Sequence, residues 1–144
     1  MEISIEFQPP RRVAGLVHSG PFNQLGVTWK KLGPIAGAAG LFGPGVETIS
    51  VFLGEQQAFA GVTLRALASA PAGLEERTIP GGKFATFCHY GPYEGLHDSW
   101  NAFMEELKKP GYRTTSGPCF EIYLNDCTQV PAEKLETLLC VSVE

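Results

Sequence analysis

A carboxylate interrupts the otherwise apolar strand sequence from Phe120 to Leu124. Because neighbouring residues of a strand face opposite sides of a sheet, Glu121 shares one face with Tyr123. A buried carboxylate needs a partner, and loss of water raises its pKa. Two interpretations stay open: Glu121 anchors a cationic ligand or acts as a general base, or it is simply exposed on a solvated face. The opposite face, expected to pack beneath the helices, carries Phe120, Ile122 and Leu124.

Aromatic side chains, which favour flat or cationic ligands, are numerous enough to surround this carboxylate. Tyr123 lies two residues from Glu121, and Tyr90 ends a strand sequence just before a Gly-Pro turn, so these two tyrosines are the stronger candidates. Trp29, Trp100 and most of the other aromatic residues are expected in the core. The predicted ligand-binding set, in addition to Glu121, is Tyr123, Tyr90, Phe52, Tyr93 and Trp100.

Other groups of reactive residues do not predict a catalytic or metal site. Cys88 and His89 are adjacent in a strand, so their side chains point apart and cannot work as nucleophile and base. His18 and His89 both precede Gly-Pro and are expected to brace the turn, since a metal would need further ligands. The four cysteines show no Cys-x-x-Cys spacing. Gly40–Gly45 lacks the pattern of a phosphate loop, so neither a metal nor a cofactor is expected.

The elements that must position Glu121 belong to an internal repeat. The segment from Arg12 to Leu32 aligns without gaps with the segment from Lys83 to Phe103, at a constant offset of 71 and with six of 21 pairs identical. The sequence therefore predicts two copies of one unit, at about residues 1–70 and 71–144 of a single domain. Pseudo-symmetric copies are expected to share a core and to leave a central groove for a ligand.

Each copy has the pattern of a β-α-β-β unit. Apolar residues with helical spacing follow both Gly-Pro turns. The first helix is expected to stop near Gly33-Pro34, before a segment from Ile35 to Gly45 that is loop with at most one helical turn. The fold class is therefore α+β, a mainly antiparallel sheet with two helices. Strands are predicted at Glu2–Phe7, Val13–His18, Glu47–Leu53, Phe59–Leu67, Leu74–Ile79, Phe84–Tyr90, Phe120–Leu124 and Leu135–Val143.

Composition excludes several classes of partner. The 144 residues carry a formal net charge of −4, without a basic surface that could follow a phosphate backbone, so direct binding to nucleic acid is not expected. Apolar runs are too short to span a membrane, and the first residues lack the pattern of a signal peptide. We therefore expect a cytoplasmic protein that does not bind membranes.

The repeat, the segment His-Tyr-Gly-Pro-Tyr at 89–93, the strand Gly-Pro-Cys-Phe-Glu-Ile-Tyr-Leu-Asn-Asp at 117–126 and the closing Leu-Leu-Cys-Val-Ser-Val resemble the GyrI-like family. That family includes DNA gyrase inhibitory proteins and the effector-binding domains of AraC-type and multidrug-sensing regulators. The resemblance implies tandem SHS2 modules around a central groove, in which Glu121 meets drug-like cations. Since no helix-turn-helix segment is present, the stand-alone form is expected.

Three hypotheses follow from these residues and from the resemblance. The first is a protein that binds aromatic or cationic small molecules without turnover, with DNA gyrase as a candidate partner. The second is a hydrolase of electrophilic natural products in which Glu121 is the general base. The third is a gyrase regulator that acts through protein contacts alone. Binding without catalysis is the favoured hypothesis, and the enzymatic alternative stays open.

Overall fold

The computed structural model describes residues 1–144, which form eight strands and two α-helices. Helix α1 spans Leu25–Ala38 and α2 spans Leu96–Leu107. Short 3₁₀ turns at Phe22–Gln24 and Tyr93–Gly95 lead into these helices. The strands are β1 (Ser4–Gln8), β2 (Arg11–Ser19), β3 (Thr48–Gly54), β4 (Gln57–Thr63), β5 (Glu75–Ile79), β6 (Gly82–Tyr90), β7 (Thr114–Tyr123) and β8 (Glu136–Val143).

The chain divides into two compact units. The first unit, Pro9–Gly81, contains α1 and four strands in the order β3-β4-β2-β5. The second unit, Met1–Gln8 with Gly82–Glu144, contains α2 and four strands in the order β1-β6-β8-β7. All strand pairs within each unit are antiparallel. The predicted α+β class and the β-α-β-β order of each copy are confirmed.

The leading strand of each sequence repeat pairs with the other repeat. Strand β1 precedes the first copy but pairs with β6, with Ile5 opposite Ala85. Strand β5 precedes the second copy but pairs with β2, with Arg77 opposite Val13. Each unit therefore takes one strand from the sequence of the other repeat, an exchange that the offset between the repeats could not reveal.

Helix α1 continues past the position where the sequence predicted its end. The prediction of a stop near Gly33-Pro34 and a loop from Ile35 was wrong, because the helix runs through Pro34 to Ala38. Proline removes one backbone donor and disfavours a helix interior. Here Leu32 and Ala36, on either side of Pro34, are both fully buried in the core of the first unit. Burial on both sides stabilises a helix that local propensity alone would end.

Two strand boundaries differ from the prediction by more than two residues. Strand β4 ends at Thr63, short of the predicted Leu67, because the chain turns away there and Arg12 Nη2 donates to the carbonyl of Ala68 over 2.8 Å. Strand β7 begins at Thr114, before the predicted start at Phe120, and its pairing with β8 shifts register between Thr114 and Cys119. Such an irregular segment lacks the simple alternation from which a strand is predicted.

Each helix packs one apolar stripe on the sheet of its own unit. In the first unit the buried stripe of α1 includes Leu25, Leu32 and Ala36. In the second unit Phe103 and Leu107 of α2 are buried in the corresponding cluster. Neither helix has the length and hydropathy that crossing a membrane requires.

Candidate functional site

Glu121 is the most deeply buried carboxylate of the second unit, with 4% of its surface exposed. Burial raises the pKa of this carboxyl because the ionised form loses water. Hydrogen bonds from Tyr123 and Trp100, and the nearby ring of His89, act in the opposite direction. The interpretation that Glu121 is exposed on a solvated face is therefore wrong.

Both oxygens of the Glu121 carboxylate accept a hydrogen bond from an aromatic side chain. The indole Nε1–H of Trp100 donates to Oε1 over 2.8 Å, and the hydroxyl of Tyr123 donates to Oε2 over 2.7 Å. Trp100 comes from α2, whereas Tyr123 lies two residues along β7 on the same face. These two donors fix the carboxylate while leaving its remaining lone pairs for a ligand.

The face assignment made for β7 must be reversed. Side chains alternate as predicted, but Glu121 points toward α2. Cys119, on the same face, packs against the buried cluster that contains Phe103 and Leu107 of α2. Phe120 lies on the other face, where its ring centroid is 5.1 Å from that of Phe84. Leu124, also expected beneath the helices, is exposed. The prediction placed the most apolar face under the helix, but Trp100 supplies a donor there that makes burial of the carboxylate possible.

Tyr93 covers the Tyr123 side of this arrangement. The two rings meet edge to face, with centroids 5.7 Å apart and planes at 66°. Tyr93 is 37% exposed, so one part of its ring faces solvent while another contacts the site. Burial raises the pKa of the Tyr93 hydroxyl to about 12, with smaller contributions from Cys127, Asp126 and Glu121. The phenol therefore stays protonated and neutral at physiological pH.

His89 braces the turn that carries Tyr93. Its Nδ1 lies 2.6 Å from the Ser99 hydroxyl of α2, and its Nε2 lies 3.0 Å from the carbonyl oxygen of Pro92. Since a carbonyl only accepts, Nε2 must carry a proton. The corresponding His18 of the first unit makes the same pair of contacts, to Thr28 and to the carbonyl of Pro21. Both histidines have the bracing geometry expected from their position before Gly-Pro.

Four of the six predicted site residues form one contact chain: Tyr93 packs on Tyr123, which together with Trp100 binds Glu121. Tyr90 follows His89 in β6, so it points to the opposite face, and 70% of its surface is exposed. Phe52 belongs to the first unit, where its ring meets that of Phe22 edge to face at 4.9 Å.

No group of three or more His, Cys, Asp or Glu side chains is placed to share a metal ion. The four cysteines form no disulfide, and Cys127 is exposed. Burial raises the pKa of Cys119 to about 11, and the negative charge of Glu121 contributes in the same direction. A thiol with such a pKa is a poor nucleophile at neutral pH, so the chemistry of this site rests on Glu121 and its phenol and indole partners.

Small-molecule sites typically combine aromatic side chains with a few placed polar groups, so the rings around the Glu121 carboxylate indicate the class of small-molecule binding domains. The sequence defines the family within that class: the model of the GyrI-like small molecule binding domain matches residues 1–144. The chain belongs to the GyrI-like family. Among curated proteins, DNA gyrase inhibitor 2 of Dickeya dadantii (strain 3937) is 35% identical over 54 residues, 38% of this chain and 34% of that protein. The match thus spans about a third of the relative's length.

Solved structures share the fold over nearly the whole chain. The C-terminal domain of EcmrR superposes with a TM-score of 0.79 at 16% identity, covering 99% of this chain and 97% of that chain. SAV2435 bound to tetraphenylphosphonium gives 0.71 at 15% identity, covering 100% and 94%. A hydrolase from Listeria innocua gives 0.65 at 14% identity, covering 99% and 92%. At these identities the likeness establishes the fold.

Proposed function

We propose that this chain binds small aromatic cations, with Glu121 as the anionic anchor and Tyr123, Tyr93 and Trp100 as the surrounding aromatic residues. The observation that carries this proposal is a carboxylate that is buried, held by two donors and bordered by a half-exposed aromatic edge. A fixed negative charge in a desolvated setting attracts a diffuse cation more strongly than it would in water. Aromatic faces add cation–π attraction.

The tetraphenylphosphonium bound to SAV2435 is an aromatic cation of this kind, which supports the choice of ligand class. The test is a calorimetric titration of the wild-type chain with tetraphenylphosphonium and with the neutral triphenylphosphine oxide. Glu121→Gln keeps the size of the side chain and removes its charge. We expect this variant to bind the cation at least about tenfold more weakly, or about 1.4 kcal/mol, and to bind the neutral compound unchanged.

Glu133→Gln is the matched control, because Glu133 is an exposed glutamate of the same unit. It should leave both affinities unchanged. Equal loss of cation and neutral compound in Glu121→Gln would contradict the anchoring role of the charge. Failure of the wild-type chain to bind any aromatic cation would contradict the proposal as a whole.

Hydrolysis of electrophilic compounds is the second candidate function, and one observation favours it. The raised pKa of Glu121 brings a carboxylate closer to the range in which a general base works at neutral pH. In this reaction the oxygen of a water molecule would form a bond to an electrophilic carbon of the bound compound, and the bond from that carbon to its leaving group would break. Glu121 would accept the proton from the water and return it to the departing group. Chromatography of the ligand after incubation separates the two functions: a binding protein returns it intact, whereas a hydrolase consumes it and loses that activity in Glu121→Gln.

A role in gyrase regulation is the third candidate, supported by the partial match to a DNA gyrase inhibitor. The discriminating assay is DNA supercoiling by gyrase in the presence of the chain. If the effect depends on protein contacts alone, Glu121→Gln should inhibit as well as wild type. If the chain acts by binding a gyrase-directed compound, the variant should lose its effect only when that compound is present.

A further inference from the structure

Thr137 of β8 carries a buried hydroxyl that has no hydrogen-bond partner in the protein. The residue is fully buried, with 0% of its surface exposed. It lies directly opposite Tyr123 on one side and His89 on the other. Directly opposite residues of antiparallel strands point to the same face, with Cβ atoms about 4.5–5.5 Å apart. The Thr137 hydroxyl is therefore on the face that carries Tyr123 and Glu121.

An unpartnered buried hydroxyl is uncommon, because the great majority of buried polar side-chain atoms in folded proteins form hydrogen bonds. Neighbouring Tyr123 donates its own hydroxyl to Glu121, and the His89 ring nitrogens contact Ser99 and Pro92. The polar groups beside Thr137 are thus already engaged elsewhere. A buried hydroxyl without a hydrogen-bond partner lowers the stability of the ligand-free protein.

The first unit shows that the fold does not require this hydroxyl. Its equivalent row of three residues is His18, Ala58 and Phe52, because Ala58 lies opposite both other residues in the strand pairing. Phenylalanine replaces tyrosine and alanine replaces threonine, while the histidine and its two contacts are kept. The hydroxyls of this row therefore belong to the unit that has the Glu121 carboxylate.

We propose that Thr137 is a further ligand-binding residue of the Glu121 site, whose hydroxyl takes its partner from the bound molecule, directly or through one water. Tyr93 and Tyr123, which are partly exposed, are the side chains that shift to admit the ligand. The preferred ligand is then an aromatic cation that also carries an N–H or O–H group. This inference rests on the proposed binding function and narrows its ligand class.

The experiment compares two cations in titrations of the full chain. Tetraphenylphosphonium has no hydrogen-bonding group, whereas ethidium carries aromatic amino groups. Thr137→Val keeps the branched shape and removes the hydroxyl, and Thr137→Ser restores a hydroxyl. We expect Thr137→Val to bind ethidium about fivefold to tenfold more weakly, as for one lost hydrogen bond, and tetraphenylphosphonium unchanged. Thr137→Ser should recover most of the ethidium affinity.

Thermal unfolding of the ligand-free variants supplies the second readout. Thr137→Val should raise Tm by about 2–4 °C, because it removes a hydroxyl without a partner. The matched control is Thr86→Val, a buried threonine of β6 whose hydroxyl donates to the carbonyl of Ser4 over 3.5 Å. That control should not raise Tm and should leave both affinities unchanged.

The possible results distinguish the role of Thr137 from the proposed binding function. A lower Tm in Thr137→Val would show that the hydroxyl has a partner in the free protein, which overturns the inference. So would an equal loss, or no loss, of affinity for the two cations. If both cations bind wild type and weaken in Glu121→Gln while Thr137→Val does not distinguish them, only the role of Thr137 fails. If wild type binds neither cation, the proposed function fails and this inference fails with it.

Discussion

The buried carboxylate makes the stability of the ligand-free chain depend on pH in a direction that can be worked out from the structure. Burial raises the pKa of Glu121 above its ordinary value of 4.5. Below that value the carboxyl is protonated in both the folded and the unfolded chain, and Glu121 contributes its full stability. As the pH rises toward the higher pKa of the folded state, the unfolded chain ionises more readily, and this contribution is lost.

Glu121→Gln isolates this effect, because glutamine stays neutral and still offers an oxygen to the Trp100 indole. Between the unfolded and the folded pKa, the free energy of unfolding of wild type should fall relative to the variant by about 1.4 kcal/mol for each pH unit. Each kcal/mol corresponds to about 2–4 °C in Tm for a chain of this size. Outside that interval the difference between the two proteins should be constant.

The assay is thermal unfolding of both proteins from pH 4 to pH 8 at constant ionic strength, without ligand. Glu133→Gln, at a solvated position, provides the control and should differ from wild type by a constant amount. A constant difference between wild type and Glu121→Gln would mean that the two hydrogen bonds fully offset the lost hydration. A wild type that gains stability over the variant above pH 4.5 would refute the argument, since the folded pKa would then be lowered.

Three further predictions concern neighbours of this carboxylate and the thiols. Trp100→Phe removes the donor to Oε1, so the pKa of Glu121 should rise further, and the same thermal series should show the loss of stability extending to higher pH. His89→Phe and His18→Phe should lower Tm by similar amounts, but only the former should weaken cation binding in a titration, because it releases the turn that holds Tyr93. Cys127 is the exposed cysteine and should therefore react first with a chromogenic thiol reagent at pH 8. A serine substitution at Cys127 should abolish the fast phase of the absorbance change of that reagent.

The fold was largely predictable because the signals that define it are repeated in the sequence. Gly-Pro turns, tryptophans and strand patterns recur at one offset, so each copy supports the interpretation of the other. The error at Pro34 has a different cause: a local rule that ends a helix was outweighed by the burial of Leu32 and Ala36, which depends on tertiary contacts. The exchange of β1 and β5 also depends on tertiary pairing and leaves no local signal.

The sequence predicted that Trp100 and Tyr123 lie near Glu121, but it did not predict how the three side chains are arranged. Alternation correctly paired Glu121 with Tyr123, yet hydrophobicity assigned the pair to the wrong face, because a sequence does not show that the Trp100 indole points at the carboxylate. The proposed role of Thr137 could not be inferred from the sequence for another reason. A longer connection joins β7 to β8 than joins β3 to β4, so the constant offset compares Thr137 with Ala66, whereas the strand pairing makes Ala58 its equivalent.

Comparison of the two units separates what the fold requires from what the site adds. Both keep the histidine brace, the Gly-Pro turn and an edge-to-face pair of aromatic rings, at 4.9 Å for Phe22 and Phe52 and at 5.7 Å for Tyr93 and Tyr123. The framework of residues that both units share is therefore sufficient for packing. The second unit adds hydroxyls to that framework, together with a carboxylate that burial disfavours. Because the first unit packs without these polar groups, packing alone does not account for them, and this supports the proposed role of Glu121 and Thr137 in ligand binding.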